Sequence, residues 1–340
     1  MTRGARRPVT TATAPGKLVL AGEYAVLAGA PGVGLALDAS AGCTFEVDPT
    51  TRRWTIETLG FASDPVTTFL PAIIIEAPPP PSSPLFLLWY ALNSIKGLIN
   101  ELPAGGRLTL DSRAFQRDGE KLGIGSSAAV CTALTGLLET LAGDRPRLET
   151  AMVAHRTAQG GKGSGLDVAT AFHGGLTSLQ QTTTGPVVER ISDVPSFGYR
   201  VIATPQAADS VRFIHRFSDW LATNPANREF VQLCNTAERV RSELSFDALT
   251  CYADALHAFD RVSKLGIYTA MHHELHTLAA RHGVAYKPCG AGGGDIGLLF
   301  GRTDADLDAC LAALNDPALS GPRPTVTALR QSDHGLRLQH

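Results

Sequence analysis

Residues 119–131 read GEKLGIGSSAAVC: a lysine, two glycines two apart, two serines, and then the small and apolar residues of a helix start. Glycines let backbone N–H groups turn toward an anion, and the first turn of a helix adds partial positive charge. The stretch therefore suits a phosphate cradle. The same residues would also make an ordinary strand–turn–helix joint, with Ser126 or Ser127 as its N-cap. Two other segments share this character. APGKLVLAGEYAVLAG carries Lys17 between a turn and a strand, and KPCGAGGGDIG, residues 287–297, has five glycines in eleven positions. Such glycine density costs too much chain entropy for a routine turn, so something must approach the backbone there. A fourth glycine-rich loop, GKGSGLDVATAFHGG, enters a helix with Asp167 in or near its first turn, where acidic residues are favoured.

The surrounding elements must position these loops. KLVLAGEYAVLA reads as a strand leading into a turn or short helix. GVGLALD and GCTFEVD read as two strands of a hairpin or meander, and RRWTIETLG as another strand. EAPPPPSSP, residues 76–84, lacks N–H donors and reads as a stiff extended loop. A helix is expected over roughly 85–100, then a strand in GRLTLDSRAF and a helix through SAAVCTALTGLLETLAG stopping at Gly143. RLETAMVAHRTAQG is a second helix, and GLTSLQQ with PVVERI a hairpin. SFGYRVIATPQ starts afresh, which places a division between residues 1–194 and 195–340. Helices follow over roughly 208–222, 225–243 and 246–263, and near 268–282. A helix in TDADLDACLAALND and a final strand in TVTALRQSDHG end the chain.

Composition narrows the function class. The 340 residues are 44% hydrophobic and 18% charged, enough for a sizeable core and for two domains or one large one. A net charge of −2 argues against a nucleic-acid binder relying on a basic surface. Cys43, Cys131, Cys234, Cys251, Cys289 and Cys310 show neither CxxC nor zinc-finger spacing and read as thiols of a reducing cytoplasm. MTRGARRPVTTATAP has no apolar h-region, and no run approaches the ~20 apolar residues of a membrane span.

Together and in this order, the three glycine loops resemble the motifs of the GHMP small-molecule kinases: an N-terminal PGK-type segment, a central GxGSSA phosphate loop and a C-terminal GAGGG loop. APGKLVLAGEYAVL, GEKLGIGSSAAV, AHRTAQGGKGSGLDVATA and GAGGGDIG resemble the phosphomevalonate kinase branch in particular. The likeness spans about residues 12–300. GEKLGIGSS lacks the GxxxxGK[ST] spacing, so the site is not of Walker type. The resemblance implies an α/β (α+β) fold: an N-terminal domain like ribosomal protein S5 domain 2 carrying the phosphate loop, a ferredoxin-like C-terminal domain, and an active site in the cleft between them.

It also implies roles for residues. Gly123, Ile124, Gly125, Ser126, Ser127 and Ala128 would offer backbone N–H groups to ATP, with Lys121 reaching its phosphates and the Ser127 hydroxyl binding Mg2+. Asp167 would accept or orient the acceptor proton, with Lys17 beside it balancing charge on the transferred group. The acceptor would be phosphomevalonate, anionic at both ends. Lys17, Arg156, Lys162 and Lys287 are candidate cationic partners, and Tyr24, Ser164 and Ser210 candidate hydrogen-bond donors. Ala291 and Gly292 would bring backbone to the substrate or the phosphates. His155 lies in the helix before the Asp167 loop and reads as structural. Cys289 stands where a serine is expected, and Ile296 where relatives often have cysteine.

Mevalonate kinase, or another GHMP sugar or alcohol kinase, is the nearest alternative. Mevalonate kinases put an acidic magnesium ligand in the helix before the catalytic loop. VAHRTAQGG offers none, and Arg156 lies about where it would fall, which favours an acceptor that already carries phosphate and leaves the second magnesium ligand unassigned. The decarboxylase branch differs in its motifs. Intact Lys17, Ser127 and Asp167 argue against an inactive binding module. A monomer or homodimer is expected.

Overall fold

The apolar residues that open the chain form two long antiparallel strands in the computed structural model, which describes residues 8–60, 64–70, 73, 77–117, 119–192, 195–206, 208, 210–314 and 324–340. β1 (Val9–Ala21) and β2 (Gly32–Val47) pair from Val9↔Glu46 to Ala21↔Val33, joined by a 3-10 turn over Ala25–Ala28. β2 is one strand where the sequence suggested two. Ala39, Ser40 and Ala41 are small enough to stay extended, and the register steps between Pro15↔Ser40 and Lys17↔Ala36. The irregularity expected as a turn is absorbed as a bulge opposite Gly16.

β3 (Trp54–Leu59), β4 (Val66–Thr68), helix α1 (Phe86–Ser94) and β5 (Gly106–Asp111) follow. A two-residue ribbon, β6 (Gln116–Arg117) and β7 (Glu120–Lys121), leads into α2 (Ser126–Leu141). α3 (Leu148–Ala158), α4 (Leu166–His173) and the hairpin β8 (Leu176–Thr182)–β9 (Gly185–Ile191) complete this half. α2 is buried from Ala128 through Glu139 and packs on β1 and β2. Ala129, Ala133 and Gly136 permit that approach; a Cβ on Gly136 would stand 2.6 Å from Leu336. The one buried charge on α2, Glu139, is satisfied by α3. It accepts from the Arg147 N–H at 2.9 Å, from Arg147 Nε at 2.9 Å and from the Thr150 hydroxyl at 2.7 Å.

The second half starts at β10 (Gly198–Ala203) and continues through α5 (Ser210–Thr223), α6 (Arg228–Ser242), α7 (Phe246–Ser263) and α8 (Ala270–Arg281). β11 (Ala285–Pro288), β12 (Ile296–Gly301), α9 (Asp304–Leu314) and β13 (Thr325–Val326) close an antiparallel sheet of order β11-β12-β10-β13. Phe217, Phe230 and Phe259 cluster between its helices. The expected final strand in TVTALRQ shrinks to β13. The chain then returns to the first sheet, where β14 (Arg337–Gln339) pairs with Thr11–Thr13 of β1. Among the described residues the first sheet runs β14-β1-β2-β5-β3-β4, with the β8–β9 hairpin on β2.

Candidate active site

The phosphate-loop candidate sits between β7 and α2. Gly125, not a serine, is the N-cap of α2, at φ 83. Ser126 and Ser127 are therefore the first residues of the helix, where backbone N–H groups have no intrahelical partner. A side chain at Gly125 would be strained at this φ, and its Cβ would stand 3.1 Å from Lys17 Cγ. Gly123, at φ 69, lies directly under the Asp295 side chain. Ile124 is buried in the core, its carbonyl accepts the Lys17 N–H at 2.8 Å, and Ala128 is buried behind it. The loop is thus held from below by β1 and from the side by the GAGGGD loop.

A cavity lies against this loop, lined by Lys121, Ser126 and Ser127 on one side and by Pro81, Ser83 and Pro84 on the other. The proline stretch, read from sequence only as a stiff loop, is its wall. Proline's fixed φ makes such a wall without regular structure.

A second, open cavity is lined by Lys17, Tyr24, Ser164, Asp167, Gly290 and Ala291. Asp167 is the second residue of α4, after Gly165 at φ 82, and its Oδ1 accepts the Val168 N–H at 3.0 Å. Ser164 Oγ accepts the Leu166 N–H at 3.2 Å, and the Tyr24 hydroxyl donates to the Ala291 carbonyl. The Tyr24 ring packs on Phe217 at 5.0 Å. Burial, with Asp260 and Glu23 nearby, pushes its phenol upward, so it stays a neutral donor. Gly290 rather than Gly292 lines this cavity beside Ala291. Gly292 is packed on Ile267, where a Cβ would come within 2.5 Å of the Ile267 methyl. Ser210 opens α5, and its side chain lies outside the described residues.

His155 joins the two regions. It is 2% exposed, and its Nε2 is 3.1 Å from Ser127 Oγ while its Nδ1 is 3.9 Å from Asp167 Oδ2. The sequence reading gave it no part in the site. A histidine 28 residues from one partner and 12 from the other shows no spacing signal.

The candidate cations separate. Arg156 and Lys162 line a hollow that continues from the second cavity past Val26, Leu27 and Ile214, and Lys162 Nζ is 2.9 Å from His215 Nδ1. Lys287 lines neither cavity and lies behind Val19 and Glu23, which line the second. It is wholly buried, paired with Glu23, and donates to the carbonyls of Val19 at 3.2 Å and Pro288 at 3.0 Å. Asp295, given no role from sequence, lies between the loops. Burial holds its carboxyl above the usual carboxylate range, against the Ala208 N–H that donates to it and the nearby Lys17 and Lys121. Burial also pushes the Cys289 thiol up to about 11, so it is a neutral packing group at neutral pH.

Comparison with known proteins agrees with this architecture. A sequence model described as GHMP kinases N terminal domain matches residues 89–175, the span from α1 through the phosphate loop to the end of α4. A phosphomevalonate kinase of Streptomyces sp. (strain CL190) is 28% identical over 357 residues, covering 91% of this chain and 93% of that protein. The structure of Streptococcus pneumoniae phosphomevalonate kinase in complex with phosphomevalonate and AMPPNP superposes with a TM-score of 0.70 at 17% identity, covering 95% of this chain and 99% of that one. Methanococcus jannaschii mevalonate kinase superposes equally well, at 0.71 and 15% identity over 97% and 100% of the two chains. At such identities superposition speaks for the fold, not for the acceptor. With the two glycine loops and the two-sheet architecture in place, residues 89–175 of this chain form a GHMP kinase N-terminal domain.

Proposed function

We propose that the protein transfers the γ-phosphoryl group of ATP to (R)-5-phosphomevalonate, giving 5-diphosphomevalonate and ADP on the mevalonate route to isoprenoids. The observation that carries this reading is the joint placement of Lys17 and Asp167 on one cavity beside the phosphate loop, in a chain similar over nine-tenths of its length to a phosphomevalonate kinase. The cavity by the proline wall suits the nucleoside, and the N-terminus of α2 suits its phosphates.

An acceptor phosphate oxygen would attack the γ-phosphorus as the bond to ADP breaks. A phosphate monoester has its second pKa near ~6, so most of the acceptor carries no proton at neutral pH. Asp167 would take the proton of the remaining monoanion. Lys17 would neutralise charge on the two phosphoryl groups being brought together. The far end of the acceptor, a carboxylate, would extend toward Lys162 and Arg156.

The residues fit magnesium. The Ser127 hydroxyl, 3.1 Å from His155 Nε2 at the N-terminus of α2, is a hard oxygen donor of the kind magnesium takes. Ser127 would hold the ion, whose positive charge would offset that of the phosphates. Six free thiols fit a cytoplasmic setting.

The test is a coupled assay of ADP release with phosphomevalonate, mevalonate and a panel of sugars. Phosphomevalonate is expected to give the highest kcat/KM. A higher value with mevalonate or a sugar would overturn the acceptor while leaving the fold intact.

A further inference from the structure

We infer that His155 is a positioning residue that couples the nucleotide side of the site to its acceptor side, holding Asp167 with Nδ1 and Ser127 with Nε2. The inference rests on the reading of Ser127 and Asp167 given above. Asp167 Oδ2 lies 3.9 Å from Nδ1, beyond direct hydrogen-bond distance, and its negative charge favours the tautomer that carries the hydrogen on Nδ1. Nε2 is then the acceptor, and at 3.1 Å it takes the Ser127 hydroxyl hydrogen. A serine that donates to a neighbour turns its oxygen lone pairs outward, the orientation a bound cation requires. Had the imidazole been the donor at Nε2, one of those lone pairs would be occupied.

Asp167 Oδ1 accepts the Val168 N–H, and its Oδ2 faces the His155 ring across 3.9 Å, a through-space electrostatic contact. The ring itself has little freedom. It is 2% exposed, on a helix whose Ala151 and Ala154 are also buried and which packs on both α2 and α4. Outer ligands of this kind set the orientation of the groups that touch substrate and metal. A change at Ser127 is thereby transmitted to Asp167 across one ring rather than through the backbone of three elements.

Asn and Gln separate the two contacts, because the Asn amide falls near the Nδ1 position and the Gln amide near Nε2. ATP affinity is measured by calorimetry with and without magnesium, and turnover at saturating substrates, for the full chain and for His155→Gln, His155→Asn and Ser127→Ala. His155→Gln is expected to keep the tightening of ATP binding by magnesium and to lose roughly 10- to 100-fold in kcat. His155→Asn is expected to lose the magnesium-dependent tightening while keeping the larger share of kcat once magnesium is saturating. If the two variants differ from the parent only in melting temperature, or respond identically in both readouts, His155 is packing alone and the inference is overturned. Magnesium dependence surviving in Ser127→Ala would remove the reading of Ser127 and this inference with it. Dependence lost in Ser127→Ala, without a split between Gln and Asn, would overturn the inference alone.

Discussion

The Lys287 ammonium and the Glu23 carboxylate meet inside the protein, with Lys287 at 0% and Glu23 at 4% exposure. Lys287 comes from β11 of the second sheet and Glu23 from the turn after β1 of the first, so the pair ties the two halves together. The other Glu23 oxygen accepts the Tyr252 hydroxyl at 2.7 Å, and that hydroxyl accepts the Gly22 N–H at 2.9 Å. Every polar atom of the pair thus has a partner, as burial demands.

Removing one partner should therefore hurt more than removing both. Lys287→Met strands a buried carboxylate and is expected to cost about 3–5 kcal/mol in urea unfolding. Adding Glu23→Gln to it should restore a large part of that loss. A cost below about 1 kcal/mol for Lys287→Met would mean that Glu23 finds water or another cation.

Gly125→Val tests the phosphate loop. At φ 83 a β-branched side chain is strained, and the new atoms would crowd Lys17 and the space over the helix N-terminus. ATP titration should show binding abolished, with a cooperative melt retained. Ser127→Ala keeps the backbone and should lose roughly ten- to a thousand-fold in turnover, or ~1.4–4 kcal/mol of barrier. Normal ATP affinity in a folded Gly125→Val protein would reduce this loop to a turn.

Asp167→Asn and Lys17→Met should lower kcat far more than they weaken ATP binding, because their interactions would develop mainly as the phosphoryl group moves. Steady-state kinetics paired with ATP titration reads the difference. Near-normal turnover in both variants would remove them as the catalytic pair.

Acid should destabilise the second half through His272. Burial lowers its pKa from 6.5 to about 4, and its Nδ1 is 2.8 Å from the Tyr286 hydroxyl. Between those values the unfolded chain binds the proton and the native one does not, so stability is intact above 6.5 and falls as pH drops toward 4. The full effect is about 3 kcal/mol. His272→Asn should flatten this part of the profile in urea melts at several pH values. A slope identical to that of the parent protein would assign the acid sensitivity to other groups.

What could be read from sequence was local. The left-handed turns at Gly123 and Gly125 and the place of Asp167 in a helix's first turn announce themselves because neighbouring residues specify them. The helices near 225–243 and 246–263 carry their own apolar periodicity and appear as Arg228–Ser242 and Phe246–Ser263. Features set by distant partners were not legible. Lys287 borders a glycine loop and looks like a ligand for an anion, but the register of β11 turns it inward toward a glutamate 264 residues away. His155 becomes part of the site only because α3 packs against both α2 and α4. The final strand expected in TVTALRQSDHG is only Thr325–Val326, and β14 beyond it was missed because the edge it serves is β1, at the opposite end of the chain.

That last pairing bears on how the protein can be cut apart. β14 covers Thr11–Thr13 of β1, and Leu336 just before it packs on Gly136 of α2. A fragment ending near residue 194 would hold the whole phosphate loop yet leave this stretch of β1 with unpaired backbone and α2 with a bare groove. Open strand edges recruit other chains. Such a fragment should self-associate, and a circularly permuted chain that carries residues 330–340 ahead of β1 would be the better route to an isolated N-terminal half.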